Sequence, residues 1–190
     1  MVEESPLISV VTPVYNGESY ISECIESVLS QTYSNWEYII VDNCSTDRSL
    51  EIARKYAIDD VRIRVHSNVT CLELLSNWNH ALRQISPSSK YCKVVHADDK
   101  LLPDCLRLML EVSEQNPSVG IVGAYRIDED HVNLDDVPYP GQVFTGHEIC
   151  RRRLLGGDDV FGSPTSLFLR ADLVRSREKF YNENNFHADT

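Results

Sequence analysis

The sequence predicts an α/β fold, a mostly parallel central sheet with helices on both faces. Three observations point to it. Strand-like and helix-like runs alternate four times over residues 1–125, and repeated strand–helix–strand units build parallel sheets. The 190 residues suffice for one domain with a substantial core, and 42% hydrophobic with 25% charged residues is ordinary globular composition. Segments rich in oxygen and hydrogen-bonding groups follow three of the strand-like runs, where such sheets bind their ligands.

Leu7–Val14 is a β-rich run bounded by Pro6 and by Asn16-Gly17. Ile21, Cys24, Ile25, Val28 and Leu29 then recur at helical spacing. Trp36–Val41 reads as a second buried strand ending at Asp42, and Asp47 can cap a helix with Leu50, Ala53 and Ala57 on one face. Val61–Val65 reads as a third strand. Leu74, Leu75, Trp78, Ala81, Leu82 and Ile85 give a third amphipathic helix. Tyr91–Val95 is a fourth strand running into His96-Ala97-Asp98-Asp99. Pro103 fits the first turn of a fourth helix with Leu102, Leu106, Met109 and Leu110 on its apolar face. Val119–Tyr125 reads as a fifth strand.

From Arg126 onward the pattern changes. Asp128-Glu129-Asp130, Asp135-Asp136, Pro138 and Pro140 mark a polar loop. Gly146–Leu155 reads as a helix ended by Gly156-Gly157, Ser166–Leu169 as a strand and Ala171–Ser176 as a short helix. The chain stops at Thr190 in a polar segment with no closing element, which reads as a truncated end. Residues 1–125 are therefore the ligand-binding half, and 126–190 a further segment of the same domain.

The formal net charge of -11 argues against nucleic acid as a partner. It permits an anionic small molecule if a cation sits between the charges. The acidic start, Met1–Pro6, is unlike a signal peptide, and Leu7–Val14 is too short to span a bilayer. The six cysteines form no CxxC pair, and their dispersal reads as buried thiols in a reduced, cytoplasmic protein. Arg151-Arg152-Arg153 reads as a solvated helix face. Peripheral contact with anionic lipid, at the inner face of a membrane, is the other reading of those three charges.

Asp98-Asp99 is the sharpest chemical feature. Adjacent carboxylates repel unless a proton or a cation intervenes, and hard oxygen ligands suit Mg²⁺ or Mn²⁺; the bland alternative is a cap for the fourth helix. Asp42 can accept from the imide N–H of a pyrimidine base or bond its own turn. Asp47 reads as a cap. In Thr12-Pro13-Val14-Tyr15-Asn16, Pro13 removes a donor and stiffens the strand exit, and Tyr15 can pack on a base or lie on the surface. Glu18 can join this site or favour the start of the first helix. Trp78 reads as core, and Asn79 as a helix-surface residue within reach of a ligand. The spacings of His80, His96, Cys44 and Cys92 match no usual zinc site.

Taken together, these residues resemble the family 2 glycosyltransferases. Leu7–Asp47, LISVVTPVYNGESYISECIESVLSQTYSNWEYIIVDNCSTD, is similar to the family's opening nucleotide-binding segment, and His96–Asp99, HADD, to its metal-binding acidic motif. The resemblance is strongest over 7–125 and implies a GT-A fold. It implies that Thr12, Pro13 and Tyr15 border the nucleoside with Glu18 nearby, that Asp42 bonds the base (uracil), and that Asp98 contacts the ribose or sugar side. It assigns Asp99 to a Mn²⁺ or Mg²⁺ ion bridging the diphosphate. Ala188-Asp189-Thr190 is similar to the family's downstream acidic motif and makes Asp189 the candidate catalytic base, while Gly162-Ser163-Pro164 and Arg170 look like the acceptor-side segment. Asn43-Cys44 departs from the frequent Asp-Gly pair, which implies a turn that tolerates a side chain.

The reaction so implied is transfer of a sugar from a nucleoside-diphosphate donor, a UDP-sugar, to a hydroxyl of a sugar or lipid-linked acceptor, with inversion, in surface polysaccharide or lipopolysaccharide assembly. A nucleotidylyltransferase is disfavoured because VYNGESY has no basic residue to grip a triphosphate. No GxGxxG follows any strand, which disfavours a dinucleotide enzyme. The remaining alternative is a non-catalytic nucleotide-binding module of the same fold.

Overall fold

The computed structural model describes residues 5–134, 140–156 and 161–184. Its first half alternates β1 (Ile8–Val14), α1 (Ile21–Leu29), β2 (Trp36–Asp42), α2 (Ser49–Asp59), β3 (Ile63–Ser67), α3 (Leu74–Leu82), β4 (Tyr91–Val94), α4 (Cys105–Gln115) and β5 (Ile121–Gly123). After these come β6 (Arg126–Asp128), β7 (His131–Asn133), α5 (Gly146–Leu154), a 3₁₀ turn (Pro164–Ser166), β8 (Leu167–Arg170) and α6 (Ala171–Arg175).

Six strands form one sheet in the order β3-β2-β1-β4-β8-β5. The pairs β1–β2, β1–β4 and β2–β3 are parallel, whereas β8 runs antiparallel to both neighbours. Each face carries its own core. Ile8, Val10, Tyr38 and Ile40 pack with Ile25 of α1, Ala53 of α2 and Leu106 of α4 on one side. Val11, Ile39 and Val41 pack with Trp78 and Leu82 of α3 and Val174 of α6 on the other. Both faces are covered, so β1 is buried throughout, polar Ser9 and Thr12 included, and the inner part of β2 reads as an apolar run.

Pro13 marks where the sheet opens. Val11 O accepts from Val95 N on the β4 side, and Val14 O accepts from Asn43 N on the β2 side. Backbone polar groups alternate sides along a strand, so Pro13 lacks its donor on the β4 side. The β1–β4 register ends at Val11 and Val94, just before that position. The missing N–H therefore leaves no ladder bond unmade. The two strands part there, and the order 3-2-1-4 reverses chain direction around the same gap, the place where open α/β sheets bind ligands.

Several expectations need correction. The third strand is two residues later than its β-branched run suggested, because Asp60–Arg62 is held as a turn by the Asp60 carboxylate. Pro103 precedes α4 instead of entering it, and Leu102 is exposed. The fifth strand is only Ile121–Gly123, shorter than Val119–Tyr125, and β8 lies between it and β4. The polar stretch after Arg126 contains a short antiparallel hairpin, β6–β7. Only Cys24 and Cys92 are buried; Cys71 and Cys150 are exposed and Cys44 and Cys105 half-buried. Among the described residues no helix is long and apolar enough to cross a membrane.

Candidate functional site: the carboxyl edge of the sheet

The loops after β1 and β2 are laced together. Asn16 N donates to Ser45 Oγ at 2.9 Å, and Asn16 Oδ1 accepts from Thr46 N at 2.8 Å. Gly17 N donates to Ser49 Oγ at 2.8 Å, Glu18 N to Asp47 Oδ2 at 2.9 Å and Arg48 N to Glu18 Oε2 at 2.9 Å. Asn16 adopts φ +52°, a left-handed conformation that asparagine accepts more readily than most residues. A Cβ on Gly17 would lie 3.0 Å from Val14 Cγ2, a tight approach within the β1 exit, and in ordinary contact with Ala97 Cβ of the acidic loop at 3.5 Å. Asp47 serves as a cap, accepting from Ser49 N at 2.9 Å and Ser49 Oγ at 2.6 Å. Desolvation pushes its carboxyl up, but the hydrogen bonds from Ser49, Glu18 and its own backbone outweigh this and hold it below the usual range.

Asp42 closes β2 opposite Val14 and is 1% exposed. Its oxygens accept only long bonds, from Ser45 N at 3.3 Å and Ser67 Oγ at 3.4 Å. A carboxylate has about four acceptor sites, so Asp42 keeps capacity for a stronger donor that displaces those contacts. Asn43 beside it is structural. Its Nδ2 donates to Leu72 O at 2.8 Å, and its Oδ1 accepts from Leu72 N at 2.8 Å and Asn68 Nδ2 at 2.9 Å. Cys44 adopts φ +60° while its thiol reaches Asn68 O at 3.2 Å. Left-handed backbone costs a non-glycine residue roughly 1 kcal/mol, and the thiol contact returns part of that. Cys44→Gly is expected to raise Tm by about 1–2 °C for a chain of this size; a lower Tm in a thermal melt would show the thiol contact to outweigh the strain.

On the other side of β1, the turn after β4 carries the acidic pair. One donor atom each from His96, Asp98 and Asp99 lie within 4.8 Å of one another. Thr165, in the 3₁₀ turn, bridges this loop: its hydroxyl donates to Asp99 Oδ2 at 2.5 Å and accepts from His96 N at 3.0 Å. Cys24 Sγ reaches His96 O at 3.4 Å, and the Trp78 and His96 ring centroids are 4.7 Å apart. Behind the loop, Lys93 is 1% exposed. Its ammonium donates to Thr165 O and, at 3.2 Å, to Leu167 O. Burial depresses its pKa against the opposing influence of Cys105, Asp99 and Cys92.

The anticipated site residues fare unequally. Asp42, at the end of β2, and Asp98 and Asp99, in the turn after β4, stand at the same edge of the sheet, on either side of β1. Thr12 is fully buried, its hydroxyl 2.8 Å from Tyr38 Oη and its backbone in register with Ile40 of β2, so its side chain is turned into the core. Pro13 is buried in β1, whereas Tyr15 is 55% exposed. Glu18 pairs with Arg48. Asn79 is a core residue, accepting from Tyr181 N and donating to Tyr181 O and Glu183. Arg170 pairs with Tyr91 in the sheet register, at the edge remote from the acidic loop, and binds Asp172. Asp189 lies outside the described residues. Thr165 and Lys93 were not anticipated. Lys93 inside an otherwise apolar strand was the available signal, whereas Thr165 gave none.

An open α/β domain with an acidic cluster at its switch point belongs to the ligand-binding class of such sheets. More particularly, the chain belongs to glycosyltransferase family 2, whose family model, Glycosyl transferase family 2, matches residues 9–176. It is 32% identical over 188 residues to the glycosyltransferase GlyG of Streptococcus pneumoniae serotype 4, covering 96% of this chain and 60% of the relative. It is 32% identical over 161 residues to a provisionally named teichuronic acid biosynthesis glycosyltransferase, TuaG, of Bacillus subtilis strain 168, covering 82% and 62%. The chain thus spans about 60% of the length of these relatives. Among solved structures it is similar to S. aureus TarS in complex with UDP, with TM-score 0.72, 21% identity, and coverage of 96% of this chain and 52% of that one. A mannosyltransferase of Pyrobaculum calidifontis in complex with GDP-Man and Mn²⁺ has TM-score 0.64 at 17% identity, covering 92% and 47%. The fold is the GT-A fold.

Proposed function

We propose that this chain forms the donor-binding part of an inverting glycosyltransferase that uses a UDP-sugar and a divalent cation and acts in the assembly of a surface polysaccharide. The observation that carries the reading is the pairing of a buried, under-used Asp42 carboxylate on one side of β1 with the His96, Asp98 and Asp99 cluster on the other. The names of the UDP-bound neighbour and of the teichuronic acid relative support the donor and the setting.

In this reading Asp42 accepts the imide N–H of the uracil, exchanging its 3.3 Å and 3.4 Å contacts for a shorter bond. Thr12 and Pro13 frame the nucleoside by backbone, Tyr15 packs over it, and Glu18 fixes the β1 loop through Arg48. Asp98, the exposed member of the pair, faces the ribose. Two carboxylates dominate the donor set of the cluster, which suits Mn²⁺ or Mg²⁺ held by Asp99. Such an ion supplies Lewis-acid stabilisation of the departing diphosphate. The acceptor hydroxyl attacks the anomeric carbon as the bond to the diphosphate oxygen breaks, and its proton passes to a carboxylate base. Asp189 holds that role by resemblance. The acceptor in this reading is a sugar or lipid-linked hydroxyl, and a lipid-linked one would be met in the cytoplasm at the inner face of the membrane.

Calorimetric titration of UDP, GDP and dTDP with and without Mn²⁺ tests the donor site. UDP is expected to bind in a Mn²⁺-dependent way, and Asp42→Ala is expected to weaken it about tenfold, the value of one charge-assisted hydrogen bond. A folded chain that binds no nucleotide would remove the donor-site reading and leave a fold without that ligand.

A further inference from the structure

We infer that Lys93 is a positioning residue for the cation site, acting through Thr165. The inference rests on the donor-site reading above. Lys93 lies in the middle of β4, in register with Val10, and is 1% exposed. Its neighbourhood is the apolar core of one sheet face, including Met109, whose sulfur is 3.7 Å from the ammonium. An ammonium is costly to bury, and a leucine or valine would fill a strand position at no such cost. What the ammonium does there is specific. It gathers the carbonyls of Thr165 and Leu167, the middle of the 3₁₀ turn and the first residue of β8.

Those carbonyls belong to the short segment whose one side-chain hydroxyl faces the acidic loop. Thr165 Oγ1 donates to Asp99 at 2.5 Å and receives His96 N at 3.0 Å. Lys93 therefore fixes the backbone of Thr165 from behind, and Thr165 fixes one oxygen of Asp99 from the front. A donor locked on one carboxylate oxygen leaves the other aimed outward for the ion. This is the arrangement by which outer partners orient metal ligands. The turn has a second anchor in Ser163 Oγ, which accepts from Thr165 N at 3.3 Å, but that bond is internal to the segment. Of the side chains bonding its carbonyls, Lys93 is the one that ties it to β4.

The test separates positioning from core stability. Lys93→Met matches the four-atom stem of the side chain, removes the ammonium and adds no polar group. Thr165→Val keeps the shape and removes the hydroxyl. Mn²⁺ binding is read by the loss of the free-ion paramagnetic resonance signal, with UDP and without, alongside Tm of the metal-free proteins. Lys93→Met is expected to fold with an unchanged or higher Tm and to bind Mn²⁺ about tenfold more weakly, within the range found for outer partners of metal ligands. Thr165→Val is expected to lose about tenfold or more, and the double variant no more than Thr165→Val alone. A wild type that binds Mn²⁺, with Lys93→Met binding equally well, would overturn the inference and leave the donor site standing. A Lys93→Met protein that fails to fold would also overturn it, by assigning the lysine to the core. A wild type that binds neither Mn²⁺ nor UDP removes the donor-site reading, and this inference with it.

Discussion

Asp99→Ala is expected to lower Mn²⁺ affinity in the presence of UDP by a hundredfold or more. Outer partners of a metal ligand already contribute ten- to a hundredfold, and in the proposed donor site Asp99 is itself the ligand. The same change has little to disturb elsewhere. Asp99 is half-buried, and among the described residues its carboxylate accepts from Thr165. Removing it deprives that hydroxyl of an acceptor but also relieves the repulsion between two adjacent carboxylates. Without metal, Tm is therefore expected to move by no more than a few degrees. Calorimetry on the variant reads the first effect and a thermal melt the second. Retained Mn²⁺-dependent UDP binding would take the cation away from Asp99.

Asn43→Asp carries the other large effect, and it acts on stability. This substitution would restore the acidic residue frequent at that place in the family. Here it faces Leu72 O, which the Asn43 amide now binds at 2.8 Å. A carboxylate cannot donate. It would set a negative charge against that carbonyl oxygen, next to the buried Asp42, at a position 5% exposed. The cost is expected to be about 2–4 kcal/mol, or a Tm lower by roughly 5–12 °C for a chain of this length. The sign with pH is also fixed. A carboxyl in that site has its folded-state pKa raised above the unfolded value of about 4. The penalty is then full above the raised pKa and shrinks as pH falls through it, because the protonated acid can donate to Leu72 O again. Urea unfolding at two pH values measures this. An unchanged midpoint would mean that the loop ending at Leu72 is not held through residue 43.

The strands that build the site were readable because they are long and apolar. Leu7–Val14 and Trp36–Asp42 are covered on both faces, so most of their residues are hydrophobic whichever way they point. That same property hid Thr12. With no period-two signal in ISVVTPV, nothing in the sequence told that Thr12 shares the inward side of Ile8 and Val10 and meets Tyr38. The acidic loop was legible from Asp98-Asp99 itself. Its support was not, since Thr165 is 66 residues from Asp99 and becomes its partner only when the 3₁₀ turn is laid beside β4. The β6–β7 hairpin escaped for a different reason: three-residue strands with exposed side chains carry too few apolar positions to show a period. Asn79 was read as a surface residue because its partners, Tyr181 and Glu183, are about a hundred residues further on.

The antiparallel β8 also sets an order of events during folding. Strands β1 to β4 are complete by Val94, yet the free side of β4 finds its partner only at Leu167–Arg170. While the intervening chain is being synthesised, β4 is an open sheet edge, the kind that recruits other strands. Lys93 lies on that edge, and in the nascent chain its ammonium has no carbonyls of Thr165 and Leu167 to bind. A charge on a waiting edge is a deterrent to wrong pairing. The residue that later braces the acidic loop thus guards the gap into which its own partners arrive.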